Sequence, residues 1–377
     1  MTRPVTREDI ETSIELCRRH LTGLQTGRGN FRYEYDWERE LYSEDDNAVR
    51  QAGALWGLAK LHRLRPDEVL MNACLKGLSF YAECSGTTAA GGRYSTYPGD
   101  PHGFTGSTAL VALALIELLR GPHAGDSADR RRWRGLLDEY LRFLLAAQRP
   151  DGRWPARYDA GTGALSSDAP SPYSDGEVLL ALALAARYLE YPGLGRAIAR
   201  GTAGAYRHYV LLALRRSLRS RATNGYYQWG TMAMYEIIGA GWAEGEDYRG
   251  IVAYLGDWMC GFRRLGERKT NPAAVLEGLI HAWDLAAATG DADRQRGYGN
   301  VIRACLERML ALQVGHPRAD DFVRRAPDSA PALGGCQHWP DKPLLRIDFT
   351  QHQLHACLLV ADLFTLDEAK GPHRKIV

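Results

Sequence analysis

Apolar residues recur at intervals of three and four along almost the whole chain, and alternating β-branched runs are nearly absent. The spacing predicts about twelve helices, over 6–22, 46–64, 66–84, 105–121, 127–149, 174–191, 193–217, 228–240, 245–263, 271–289, 291–313 and 349–366. Two kinds of link join them. Short ones, such as 63–67 and 289–293, supply the stop and the new N-cap that a tight helical hairpin needs. Long ones, 83–105, 150–174, 218–228 and 315–349, hold most of the Gly, Pro and aromatic residues. The alternation predicts a chain of helical hairpins with its elaboration on one side. The first and last helices have no sequence neighbour to pair with. Pairing 6–22 with 349–366 makes six hairpins and closes a ring, a single all-α domain over 1–377; an open solenoid is the alternative.

Polar residues interrupt the pattern mainly where helices follow long loops. Asp45, Asp46, Asn47 and Arg50 open one. His102, then Tyr173, Ser174, Asp175 and Glu177, open others. Asn224, Tyr227 and Trp229, then Asn271 and Glu277, then Arg346, Asp348, Gln351 and His352 complete the set. The helices they open are rich in Ala, Gly and Leu, as suits walls buried on every side. In a ring, six such starts converge on one mouth, and their N-termini favour an anionic ligand. Asp46, Ser174 and Asn271 also read as plain N-caps. Arg50 and Glu277 fall inside first turns, where a buried charge calls for a partner or a ligand.

Asp348 and His352 are four apart, so they share a helix face and suit proton transfer. With Asp175 and Glu177 they form the candidate catalytic set. Arg50, Arg346, Gln351 and Glu277 are candidates to hold substrate polar groups, with His102 beside them. Tyr173, Tyr227, Trp229 and Trp339 are candidates to stack on sugar faces. Cys336 and His338, joined by Cys84 or His102, raise zinc, but the spacing gives no ligand motif, and no cofactor or metal is expected.

Charge and composition narrow the field. The net charge is +2 over 377 residues, with no basic field for nucleic acid. Hydrophobic residues make up 45% and charged residues 24%, ordinary for a soluble globular protein. The polar start of the chain lacks the apolar core of a signal peptide, and no run is long enough to span a membrane. Seven scattered cysteines inside helical patterns read as reduced, which implies a cytoplasmic protein.

Leu141, Leu145, Gln148, Gly152 and Trp154 resemble the "QW" repeat of squalene and terpene cyclases and related α/α toroids. Arg346, Asp348 and His352 resemble the R-x-D-x-x-x-H stretch of the helical domain of glucuronyl C5-epimerases. Tyr173, Asp175, Gly176 and Glu177 before an apolar helix are similar to the inner-helix openings of six-hairpin glycosidase-like proteins. These resemblances imply an (α/α)6 toroid and a carbohydrate-active enzyme: a hydrolase, lyase or epimerase acting on an anionic sugar or glycan by general acid–base chemistry. A terpenoid-cyclase-like enzyme is the first alternative. The D-x-D-D-type motif with which that class protonates an alkene does not occur; Asp45–Asp46 and Asp320–Asp321 are the nearest runs. A non-catalytic toroid that binds a peptide or protein is the second.

Overall fold

The computed structural model describes residues 3–121, 128–167, 169–211, 220–242 and 247–366. Contacts divide the chain into two compact units. The first holds Met1–Gln25, Phe31–Asp46 and Gly241–Val377; the second holds Thr26–Asn30 and Asn47–Ala240. Among the described residues twelve α-helices alternate between wholly buried and one-sided.

In the second unit α2 (Ala48–Leu64), α4 (Thr105–Arg120), α6 (Pro172–Tyr188) and α8 (Arg221–Gly239) pack in that order, each on the next. Every residue of α4 from Thr105 to Leu119 is buried, so its small side chains let neighbours approach from all sides. The flanking helices are α3 (Glu68–Glu83) on α2, α5 (Ala128–Ala146) on α4 and α7 (Gly195–Ala205) on α6. α5 buries only the stripe Trp133, Leu137, Tyr140, Leu141 and Leu144 with Phe143, the spacing of a helix with one wet face. Its end is tied to the next hairpin. Gln148 Nε2 donates to Gly152 O at 3.0 Å and to Ala197 O at 2.8 Å, and the buried Trp154 donates from Nε1 to Leu144 O at 2.7 Å. The Gln and Trp of the QW-like segment therefore act as structural ties. The long loops carry one hairpin, β3 (Ser85–Thr87) with β4 (Arg93–Ser95), and one antiparallel pair from two different loops, β5 (His102–Phe104) with β6 (Arg157–Asp159).

In the first unit α1 (Arg7–Leu24) packs on α12 (Ile347–Leu363), the pairing of first and last helices that the count required. α12 packs on α10 (Ala273–Ala288), which also meets α9 (Tyr248–Asp257) and α11 (Ala292–Ala311). A cluster of buried amides joins these parts. Gln313 Oε1 accepts from Ser13 Oγ at 2.7 Å and Gln353 Nε2 at 3.0 Å, and Gln313 Nε2 donates to Ser13 O and Gly334 O. Asn271 Nδ2 donates to Gln353 Oε1 and Gln337 O, both at 3.2 Å. A three-stranded antiparallel sheet, β1 (Glu34–Asp36) between β2 (Leu41–Tyr42) and β7 (Leu344–Arg346), leads straight into α12. Glu34 pairs with Arg346 there, which fixes where the α12 N-terminus begins.

Local boundaries differ from the sequence expectation in three places. α8 begins at Arg221, capped by Ser220 Oγ, so Asn224, Tyr227 and Trp229 lie inside a helix. α7 gives way to a π-helical turn over Tyr206–Val210, and 212–217 of the expected helix falls outside the described residues. The caps also differ: Asn47 rather than Asp46 caps α2, and α6 follows Ser171 with Pro172 at its first turn, leaving Ser174 within the helix. Asn271 does accept the Ala273 N–H, at 3.0 Å. No helix of the described residues is long and apolar enough to cross a membrane.

Candidate functional site

The first unit gathers its titratable side chains where α10 and α12 meet. Glu277, in the second turn of α10, is completely buried. Its Oε1 lies 2.9 Å from His352 Nδ1 on α12. His355, one turn on and also completely buried, brings Nδ1 to 3.7 Å from Oε2, an ion-pair distance rather than a hydrogen bond. Burial alone would raise the Glu277 carboxyl. The hydrogen bond and charge of His352, and then those of His355, outweigh it and hold the carboxyl at about 2. An ionised carboxylate can only accept, so His352 Nδ1–H is the donor. His281, one turn along α10, donates from Nδ1 to the Glu277 carbonyl at 2.7 Å. Gln351 places its amide nitrogen 3.2 Å from His355 Nδ1. The His352 side chain keeps 17% of its surface exposed, so of this buried group it is the one that solvent reaches.

Beside this dyad, Arg346 and Asp348 form a two-pronged ion pair, Nε to Oδ1 at 2.9 Å and Nη2 to Oδ2 at 2.8 Å. The same guanidinium lies 4.1 Å from the centre of the Phe349 ring, and His338 stacks on that ring at 4.6 Å and 14°. Trp339, 37% exposed, meets His338 edge-on. These positions correct two expectations. The carboxylate bonded to His352 Nδ1 is that of Glu277, while both oxygens of Asp348 accept from Arg346. Arg346 is no ready anion holder, because Asp348 matches its charge in fork geometry.

The second unit holds a separate group. Asp175 is buried and accepts from Trp154 N–H at 2.8 Å and from Tyr209 Oη at 2.5 Å. Burial pushes its carboxyl up to about 7 against those two bonds. Both oxygens thereby tie loop and helix together. Glu177, two residues on, is buried, and its Oε2 has no hydrogen-bond partner. Burial, then the Asp175 charge, push it up to about 8, so it is a neutral acid at pH 7. Gly106 makes room for it; a Cβ there would lie 2.2 Å from Oε2.

The remaining candidates scatter. Arg50 is part-buried in the first turn of α2, its N–H bonded to Asn47 Oδ1 at 3.1 Å. Tyr173 is half exposed, its ring against Gly225. Tyr227 is fully buried and Trp229 nearly so, the latter 5.4 Å from Trp56 between ring centroids. Neither has a face left for a sugar, because α8 starts about two turns earlier than expected and packs them inward. His102 is exposed on β5, paired in register with Asp159. Cys336 is buried, its N–H donating to Thr350 Oγ1, and among the described residues no three His, Cys, Asp or Glu side chains converge as metal ligands. Sequence reasoning placed Glu277 and His352 near one site without pairing them. It missed His281 altogether, although its four-residue spacing from Glu277 was legible.

No family model matches the chain. The drimenyl diphosphate synthase of Streptomyces showdoensis is 32% identical over 195 residues, which make up 51% of this chain and 32% of that protein. The chain therefore spans about a third of that relative's length. Among solved structures, a sugar epimerase from a ruminal bacterium matches with a TM-score of 0.66 and 10% identity, over 94% of this chain and 98% of that one. A D-mannose isomerase matches with 0.62 and 14%, over 95% and 98%. At such identities the likeness is one of fold, and it shows the fold: an α/α toroid.

Proposed function

We propose that this chain is an enzyme that moves a proton on a sugar, with His352 as the transfer group and Glu277 as the carboxylate that orients it. The observation that carries this reading is the 2.9 Å bond from His352 Nδ1 to a fully buried, ionised Glu277. With Nδ1 committed to a carboxylate, the imidazole exchanges protons through Nε2. Such a group can take the proton from the carbon next to a sugar carbonyl and return it to the other face or to the neighbouring carbon. That is epimerisation or isomerisation, the activities named for the two solved structures of the same fold. Hydrolysis is less well supported, because it calls for a second working carboxylate and Asp348 is held by Arg346. A neutral sugar suits this site better than the acidic one expected from Arg346, because Asp348 already matches that cation.

The test is proton NMR of mannose, glucose and cellobiose incubated with the protein in D2O. Deuterium should enter at C2, and new anomeric signals should follow. Glu277→Gln and His352→Asn should each slow exchange by about 100-fold or more while circular dichroism stays unchanged. Full exchange in both variants would refute the assignment.

A second reading, a terpenoid-cyclase-like enzyme, is favoured by the 32% identity over 195 residues. The neutral, unpartnered Glu177 would be its acid. Conversion of a linear isoprenoid diphosphate that depends on Glu177, with no exchange on any sugar, would select it.

A further inference from the structure

The first unit contains a depression of about 400 Å³ that shares no residue with the Glu277 group. It lies between the last turns of α1, the β1–β2 segment and the loop around Pro331. Arg19 and Arg32 line it, together with Tyr42, and Leu24, Pro331 and Leu333 supply its apolar surface. No carboxylate is among its lining residues, so the two arginines, both exposed, give it a positive rim. The Arg32 guanidinium carbon lies 4.4 Å from the centre of the Tyr42 ring, which holds that cation at the wall.

The walls are set before any ligand arrives. His20 is buried on α1 and bonds Leu333 O through Nδ1 at 3.3 Å, fixing the loop to the helix. Gly334, with φ of 84°, lets the same loop run against Leu16 O, where a Cβ would come within 2.0 Å. Two carbonyls at the end of α1 are answered locally: Gln25 N–H donates to Thr22 O and Arg32 N–H to Leu24 O. The charged side chains that line the depression are both arginines. Gly23 leaves the floor open, with nothing within 4 Å of where its Cβ would be.

We infer that this depression is a binding site for a small organic anion, a carboxylate or phosphate carried on an apolar body, with Arg19 and Arg32 gripping the charge and Leu24, Pro331 and Leu333 the body. The volume suits a ligand of that size, and paired arginines suit planar or tetrahedral oxyanions. The inference does not rest on the sugar reading.

The experiment is isothermal titration of the full-length protein at low salt with phenyl phosphate, inorganic phosphate and benzyl alcohol. Phenyl phosphate should bind saturably at one site and more tightly than either of the others. Arg19→Gln combined with Arg32→Gln should weaken it by about tenfold or more. Gly23→Leu adds a helix-favouring side chain into the open floor and should abolish binding with circular dichroism unchanged. Absence of saturable binding, benzyl alcohol or inorganic phosphate binding as tightly as phenyl phosphate, or unaltered affinity in either variant would overturn the inference.

Discussion

Replacing Glu177 by Gln removes a titration that the fold resists. In the folded chain the Glu177 carboxyl has no hydrogen bond at Oε2, is buried, and is pushed up to about 8 by burial and then by the Asp175 charge. In the unfolded chain it ionises near its ordinary value, about 4.3. Between those two values the unfolded state sheds a proton that the folded state keeps. The sign follows: this group's contribution is fully present below the unfolded value and is lost as pH rises towards 8. The loss is about 1.4 kcal/mol per pH unit, so roughly 3 to 4 kcal/mol has gone by pH 7 and about 5 by pH 8. Glu177→Gln cannot ionise, and any cost of its buried amide is the same at every pH. Asp175 is pushed up too, but it is present in both proteins, and only its coupling to Glu177 fails to cancel. Urea unfolding of both proteins from pH 4.5 to 8.5 at fixed ionic strength measures the difference. The variant should gain on the parent by about 1.4 kcal/mol per unit and then level off above pH 8. A difference that does not vary with pH, or that runs the other way, would show that Glu177 ionises inside the folded chain and has a partner.

Three further outcomes follow from the same contacts. Gly106→Ala places a methyl 2.2 Å from Glu177 Oε2, and since that side chain is enclosed the urea midpoint should fall by the equivalent of about 1 to 3 kcal/mol. Trp154→Phe deletes the donor to Leu144 O and leaves a buried void, so thermal unfolding should move down by about 1 to 3 kcal/mol, with the α5 end losing amide protection first. For Arg346 and Asp348, a double-mutant cycle to Met and Leu should give a coupling of about 1 to 3 kcal/mol, and Arg346→Met alone should cost more than the pair; additivity would mean the ion pair is idle.

The helical plan was legible because two signals agreed: the three-and-four spacing, and links that alternate between short and long. The start of α8 was not. Asn224 and Gly225 are weak helix formers, and they read as a loop before Trp229. In the fold Gly225 is instead the position that admits the Tyr173 ring, where a Cβ would lie 2.8 Å from it. Packing overrode propensity. The site was half legible. Polar residues in small-residue helices marked Glu277 and His352 as unusual, but their bond spans 75 positions, and no local spacing reports it. The nearer candidate, Asp348, has its own partner two residues away, which becomes a partner only because Arg346 leaves β7 in extended conformation. The partners of Asp175 were hidden by the same kind of cause. Its oxygens meet Trp154 N–H and Tyr209 only once the loop between α5 and α6 has folded.

The amide cluster around Gln313 bears on how such a protein can diversify. An apolar seam between α1 and α12 would tolerate a shift of register, since one methyl group can replace another as neighbour. Directional bonds from Ser13, Gln313 and Gln353 do not slide; displacing α12 by a turn would strand several buried amides at once. Gln353, the residue that follows His352, is thus riveted to the opposite end of the chain. New specificities are then expected to arise by rewriting loops such as the one bearing His338 and Trp339, while the helix beneath them keeps its address.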